Sequence, residues 1–302
     1  MSVFAHPGPI INAMTVDVED YFQVAAFDGC IAREDWSRWP ARVEANTRRV
    51  LELFDGSGVH ATFFTLGWVA ERWPTLVRDI AASGHEIASH GFGHERLTAL
   101  DRSAFRDGVV RTKHLLEDIS GTQVSGYRAP SWSIGPTTLW AHEELREAGY
   151  RYSSSIVPIR HDLYGMPAAP RFAFVAGPSG LLEVPATTVR FWGRNWPCGG
   201  GGFFRLLPYP LFSRGLKRVN RKERRPTVFY FHPWEIDPGQ PRVPGVSLKN
   251  RTRHYLNLKH MAPRVGRLLR DFRFDRMDRV FPVDAGAEYP VVALAAAGSG
   301  AQ

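Results

Sequence analysis

The feature that most constrains this chain is an alternation of strand-like and helix-like segments, recurring about every 30 residues through the first half. "NAMTVDV" reads as a buried strand, and "VEANTRRVLELFDGSG" places Val43, Val50, Leu51 and Phe54 on one helical face before stopping at Gly56. "HATFFTLG" is a second strand. "VAERWPTLVRDIAASG" is a helix interrupted near Pro74 and closed by Gly84. "HEIASHG" is a short strand entering a loop, and "SAFRDGVVRTKHLLEDISG" an amphipathic helix with Ser103 as its expected N-cap. "VSGYRAPSW" is a strand and loop, and "PTTLWAHEELREAG" a helix with Pro136 in its first turn. Such an alternation builds a parallel β/α structure. Polar clusters stand at the ends of several successive strands, which favours a distorted (β/α) barrel over an open sheet. No G-x-G-x-x-G or P-loop pattern follows the first strand, which argues against a nucleotide-binding sheet.

Beyond residue 150 the pattern becomes irregular and rich in Pro and Gly, with strand-like stretches at "LLEVPATTV" and "TVFYFHPWEI" and a helix at "LNLKHMAPRVGRLLRDF". The expected organisation is a single catalytic domain over residues 1–283, with a core at about 12–155, a C-terminal part at about 156–283 packed on it, and a disordered tail over 284–302.

The first chemical cluster is "TVDVEDYF", where Asp17, Glu19 and Asp20 crowd the end of an apolar run. The second is "HEIASHGFGH", with His90 and His94 four apart; on a helical turn that spacing puts both imidazoles on one side. Two histidines and one acid make a three-ligand site with open positions, suited to Zn²⁺ or a similar divalent ion. A second acid beside the ion then suits general-base duty, because coordination lowers the pKa of water to roughly 7. Asp17 and Glu19 share a face if the strand alternates through them, while Asp20 rivals Glu19 as ligand if the strand has already turned. The third cluster is "GYRAPSW": Arg128 suits a bidentate pair with a base carboxylate, Pro130 stiffens the turn, and Trp132 offers an apolar wall or a sugar-stacking face. The fourth is His232 in "FYFHPWEI", placed to act as a general acid after an apolar strand.

These four segments, in this order, resemble carbohydrate esterase family 4, the polysaccharide deacetylases with the NodB-homology domain. The resemblance covers roughly residues 12 to 280. It implies a barrel of fewer than eight strands and metal-dependent removal of acetyl groups from glycans. It makes Asp17 the base, His90 and His94 metal ligands, Arg128 the residue orienting the base, His232 the acid, and the N–H of Ser131 after Pro130 an oxyanion donor. The stretches "HDLYGMPAAPRF", "GGGGFFRLLPYP" and "HPWEIDPGQPR" resemble the branch associated with bacterial exopolysaccharide-synthesis loci.

Two departures stand out. Val18 occupies the position of the family's second Asp, which moves the ligand role to Glu19, with Asp20 as the rival. Ser153 stands where an Asp tunes the acid histidine, so the pKa of His232 is expected below that of relatives, unless Asp162 substitutes. The function expected is deacetylation of an N-acetylated polysaccharide or precursor in exopolysaccharide synthesis, with Zn²⁺, or else Co²⁺ or Ni²⁺. The alternatives are an allantoinase-like hydrolase of a small cyclic amide and a glycan-binding protein whose catalysis has lapsed.

Charge and targeting signals complete the expectations. The chain carries a net +8, and Arg214 to Arg225 holds seven basic residues against one Glu. That patch suits peripheral contact with an anionic membrane. Base-stacking motifs and zinc fingers are absent from the sequence, so no nucleic-acid partner is expected. Cys30 and Cys198 form no framework, and the sequence shows neither a signal peptide nor an apolar run of membrane-spanning length. The chain reads as cytoplasmic; its oligomeric state is left open.

Overall fold

The computed structural model describes residues 8–161, 164–283 and 288–295. Parallel strands β1 (Ile11–Val18), β2 (Thr62–Thr65), β3 (Glu86–Ser89), β4 (Gly126–Tyr127) and β5 (Tyr152–Ser153) follow one another around a curved sheet. β6 (Phe174–Gly177) runs antiparallel to β7 (Leu181–Glu183), which pairs in parallel with β5. β8 (Thr188–Phe191) and β9 (Arg194–Pro197) form a separate hairpin. β10 (Val228–Phe231) returns to pair in parallel with β1, and β11 (Arg273–Asp275) pairs with the first residues of β1. β12 (Val291–Ala293) pairs in parallel with β6.

The staves β10, β1, β2, β3, β4, β5 and β7 form a distorted α/β barrel whose seam is closed by irregular backbone. Tyr230 N donates to Gly199 O (2.8 Å), Cys198 N to Thr187 O (3.0 Å) and Ala186 N to Ile156 O (3.0 Å). Regular pairing is lost there because the wall follows the Gly- and Pro-rich stretch around residues 197–202. At Gly199 an added Cβ would come within 2.5 Å of Val228 O, so only glycine lets the two backbones approach.

The helices are α1 (Val43–Asp55), α2 (Gly67–Arg72), α3 (Pro74–Ala82), α4 (Arg102–Ser120), α5 (Ala141–Glu147), α6 (Gly201–Leu206), α7 (Tyr209–Lys222), α8 (Leu248–Tyr255), α9 (Met261–Asp271) and α10 (Met277–Val280). Strand alternation sorts the core. Met14, Val16, Val18, Phe63 and Ile87 face outward to the helices, while Ala13, Phe64, Ala88, Tyr152, Leu182 and Val228 fill the barrel, plugged by Met277 of α10.

Three local expectations need correction. The N-cap of α4 is Asp101, whose side chain accepts from Ala104 N at 2.8 Å, not Ser103. α5 starts at Ala141, because residues 136–140 form turns held by Thr138, so Pro136 is not in its first turn. The stretch expected as a disordered tail holds β12, whose residues pair with β6; residues 284–287 and 296–302 of that stretch lie outside the described residues. Among the described residues no helix is long and apolar enough to cross a membrane.

Candidate metal and acid–base site

The polar clusters meet at the C-terminal ends of β1, β3, β4 and β10. Asp17 is the penultimate residue of β1 and points into the barrel, where Arg128 Nη1 reaches its Oδ1 at 2.5 Å. Arg128 is fully buried and holds its place with donors to Thr15 Oγ1 (2.9 Å), Ser154 O (3.2 Å) and Ser154 Oγ (3.2 Å). The rings of Phe64, Trp132 and Tyr230 surround the guanidinium, with Phe64 4.0 Å from Cζ to centroid. All three guanidinium nitrogens thereby reach an oxygen, which fixes the Asp17 side chain while leaving Oδ2 free of the arginine.

Glu19 follows the end of β1, where its N–H turns back to Asp17 O. Its Oε2 lies 2.8 Å from His94 Nε2 and 3.8 Å from His90 Nε2, is fully buried, and finds no hydrogen-bond partner of acceptable geometry. His90 Nδ1 is 2.9 Å from the Arg128 carbonyl oxygen. A carbonyl only accepts, so Nδ1 carries the proton and Nε2 presents its lone pair toward Glu19. Burial pushes His90 down to about 4, which keeps the ring neutral at pH 7. Burial would raise the Glu19 carboxyl, but the imidazoles of His94, His232 and His90 hold it well below the usual carboxylate range. An orphaned carboxylate oxygen beside lone pairs is a donor set that fits a divalent cation, and Glu19, His90 and His94 have ligand atoms all within 4.8 Å of one another.

Asp20, the rival to Glu19, points elsewhere. Its oxygens accept from the backbone N–H groups of Tyr21 (2.8 Å), Arg42 (2.6 Å) and Val43 (2.9 Å), so it ties the loop after β1 to the start of α1. Nor do His90 and His94 meet on a helix. The intervening chain is a loop with Gly91 and His94 in the left-handed region (φ 75° and 57°), and it brings the rings to 5.3 Å between centroids. Ser131 and Trp132 are also left-handed (φ 54° and 56°), so three of the six such non-glycine residues described lie at this site. Each costs on the order of 1–3 kcal/mol, a cost that tertiary structure sustains mainly where geometry serves function.

His232 completes the cluster from β10. Its Nε2 lies 3.8 Å from Asp17 Oδ2 and 3.6 Å from Glu19 Oε1. Position 153 offers His232 no carboxylate. Ser153 is absorbed by Ser155 Oγ at 2.8 Å, and Asp162 lies outside the described residues. Instead Glu235, three residues along the chain, takes Nδ1 at 2.8 Å and is itself held by Arg205 at 2.6 Å. Burial opposes the imidazolium, yet Glu19, Glu235 and Asp17 outweigh it and push His232 up to about 9. Burial would likewise raise Glu235, but Arg205 and His232 hold it down at about 2, so it stays ionised.

Sequence reasoning overlooked Glu235 and Arg205, although His-x-x-Glu is the spacing of a capping box and the structure shows one. It also overlooked Trp234, which stacks on His232 (5.2 Å, 15°) and donates Nε1–H to Glu19 Oε1 at 3.3 Å.

A cavity of about 240 Å³ opens over these groups, lined by Asp17, Glu19, His90, His94, His232 and Tyr164, among others. Ser131 and Trp132 line it too. Trp132 is nearly buried, packed on Arg128 and Tyr230, so it serves as the wall rather than an open stacking face. Pro130 does not line the cavity; its ring lies against Gly91 and fixes the turn.

Comparison with known proteins matches two consecutive segments of the chain. The family model for polysaccharide deacetylases matches residues 27–153, and a domain of unknown function, DUF3473, matches 154–282. The site therefore spans both: His90, His94 and Arg128 lie in the first match, Arg205, His232 and Glu235 in the second, and Asp17 and Glu19 precede them. A peptidoglycan deacetylase of Helicobacter pylori is 28% identical over 149 residues, 49% of this chain and 50% of that protein. A peptidoglycan-N-acetylglucosamine deacetylase of Bacillus cereus is 32% identical over 99 residues, 32% of this chain and 36% of that protein. A chitooligosaccharide deacetylase of Rhizobium leguminosarum is 30% identical over 110 residues, 30% of this chain and 51% of that protein. The chain thus spans about half or less of the length of these relatives.

Among solved structures, a Mycobacterium smegmatis protein provisionally described as a polysaccharide deacetylase superposes with a TM-score of 0.64 at 19% identity, covering 97% of both chains. An allantoinase, PuuE, superposes with a TM-score of 0.54 at 15% identity, covering 92% of this chain and 91% of that one. Both share the fold. Residues 27–153 thus form a polysaccharide deacetylase domain, of the NodB type that defines carbohydrate esterase family 4.

Proposed function

We propose that this protein is a metal-dependent hydrolase that removes acetyl groups from an N-acetylated glycan. The observation that carries it is the convergence of three metal-ligating side chains, Glu19, His90 and His94, with Glu19 Oε2 unpartnered, beside a carboxylate locked by a buried arginine and opposite a charged imidazole, all lining one open cavity. Glu19, His90 and His94 would hold a divalent ion, which we assign as Zn²⁺ from the two-nitrogen, one-oxygen set, and such an ion would supply Lewis-acid polarisation of the acetyl carbonyl and lower the pKa of water beside it to about 7.

Asp17 takes the proton of the attacking water on Oδ2, the oxygen not engaged by Arg128. The hydroxyl adds to the acetyl carbon, and the N–H of Ser131 is assigned to the developing oxyanion. His232 then gives the proton on Nε2 to the departing amine nitrogen as the C–N bond breaks, leaving acetate and a free amine. Glu235 keeps the Nδ1 proton in place throughout.

The relatives' named substrates, peptidoglycan and chito-oligosaccharides, support an N-acetylglucosamine-containing glycan as substrate. The resemblance of residues 161–172, 199–210 and 232–242 to the branch found in exopolysaccharide loci supports a precursor of such a polymer.

The test is acetate release from N-acetylated chito-oligosaccharides, measured beside ureide cleavage of allantoin. Acetate release by the wild type and its loss in Asp17→Asn are expected. Allantoin cleavage instead would favour the cyclic-amide alternative, and glycan binding without acetate release would mean lapsed catalysis.

A further inference from the structure

The hairpin β8–β9 turns at Trp192 and Gly193, both left-handed (φ 47° and 74°). Asn-Gly or Gly-Gly suits such a two-residue turn, and a tryptophan there is strained. Trp192 is also 94% exposed, beside Phe191 at 42% and Trp196 at 50%. Neither the fold nor the cavity uses these rings, since the cavity is lined by other residues and Trp192 contributes nothing to the core.

Charge gathers at the same place. Leaving out Arg205, which is buried against Glu235, residues 190–225 contain nine Lys and Arg and one Glu, a net +8 that equals the net charge of the whole chain. Arg190, Arg194, Arg214, Arg221 and Lys222 are exposed. Arg218 of α7 lies over the Phe191 ring at 4.9 Å, which joins the aromatic tip to the basic helix. Leu211, 53% exposed, shares the face of Arg214 and Arg218 at helical spacing.

We propose that the β8–β9 hairpin and the basic face of α7 dock on an anionic lipid bilayer. Trp192 and its neighbouring rings enter the headgroup region, and the surrounding guanidinium and ammonium groups meet lipid phosphates. A convex indole ringed by cations matches that surface better than a sugar. A pyranose needs amide or carboxylate partners for its hydroxyls, and those of this stretch are engaged elsewhere: Asn195 with Pro158 O at 2.8 Å, Asn220 with Asn12 Oδ1 at 2.8 Å and Arg225 O at 2.9 Å, and Glu223 with Arg171 at 2.6 Å. This surface is independent of the catalytic assignment.

The experiment is co-sedimentation of the full chain with phosphatidylcholine vesicles, with and without phosphatidylglycerol, together with tryptophan quenching by brominated lipid. Binding is expected only with phosphatidylglycerol and should weaken roughly tenfold or more as salt rises past a Debye length of about 8 Å. Trp192→Ala should lose roughly tenfold in binding while keeping its melting temperature, and Trp192→Phe should bind but lose most of the quenching. Binding by Trp192→Ala equal to wild type, no binding to anionic vesicles, or equal affinity for soluble alginate with the same change at Trp192 would each overturn the proposal.

Discussion

Glu235 accepts the Nδ1–H of His232 at 2.8 Å, and its second oxygen is held by Arg205 Nε at 2.6 Å. An ionised carboxylate cannot donate, so this contact fixes the imidazole tautomer and aims Nε2 at the gap between Asp17 and Glu19. The carboxylate that orients His232 thus comes from its own turn rather than from β5.

Glu235→Gln should therefore lower kcat for acetate release about 10- to 100-fold, the usual cost of losing the partner that orients a functional imidazole. Metal content measured by elemental analysis should stay at the wild-type level. Loss of metal in this variant would mean that Glu235 supports the ligands instead.

Adjacent acids should separate cleanly. Asp20→Ala strands the N–H groups of Tyr21, Arg42 and Val43, two links of which are buried, and should cost about 2–4 kcal/mol in denaturant unfolding. Its metal stoichiometry should be retained. Glu19→Ala should do the reverse, abolishing metal binding while relieving a buried, unpartnered oxygen.

The Asp17–Arg128 pair should behave as a unit. Arg128→Met leaves a buried carboxylate uncompensated and should destabilise by about 3–5 kcal/mol. Combining it with Asp17→Asn should recover part of that loss, a positive coupling read from a double-mutant cycle. Strict additivity would show that the two side chains are not coupled.

Glu86 lies at the opposite end of the barrel, its carboxyl bonded by Thr62 Oγ1 (2.5 Å) and Tyr152 OH (2.9 Å). Burial, with a contribution from Asp278, pushes it up to about 7. A carboxyl raised in the folded state holds its proton there while the unfolded chain has lost it, so stability contributed by this group falls as pH rises from about 4.5 to about 7. Glu86→Gln should accordingly melt higher than wild type at pH 8, by the equivalent of about 3 kcal/mol, and show little difference at pH 4. A difference independent of pH would contradict the burial argument.

The sequence by itself determined the β/α alternation, the barrel class, and the identity of Asp17, Glu19, His90, His94, Arg128 and His232 as residues that meet. Strand periodicity and strand-end position are local properties, and in a parallel barrel all the strand ends that carry these residues lie on one face. Tertiary structure alone decided three things. It decided that Glu19 rather than Asp20 joins the histidines, because the backbone turns straight after β1 and the distant N–H groups of Arg42 and Val43, with that of Tyr21, claim Asp20. It decided that His90 and His94 meet through a left-handed loop, a conformation that spacing does not encode. And it decided that Glu235, held by Arg205, is the carboxylate on His232 Nδ1, since an ion pair between side chains 30 positions apart exists only once α6 and the turn after β10 are packed together.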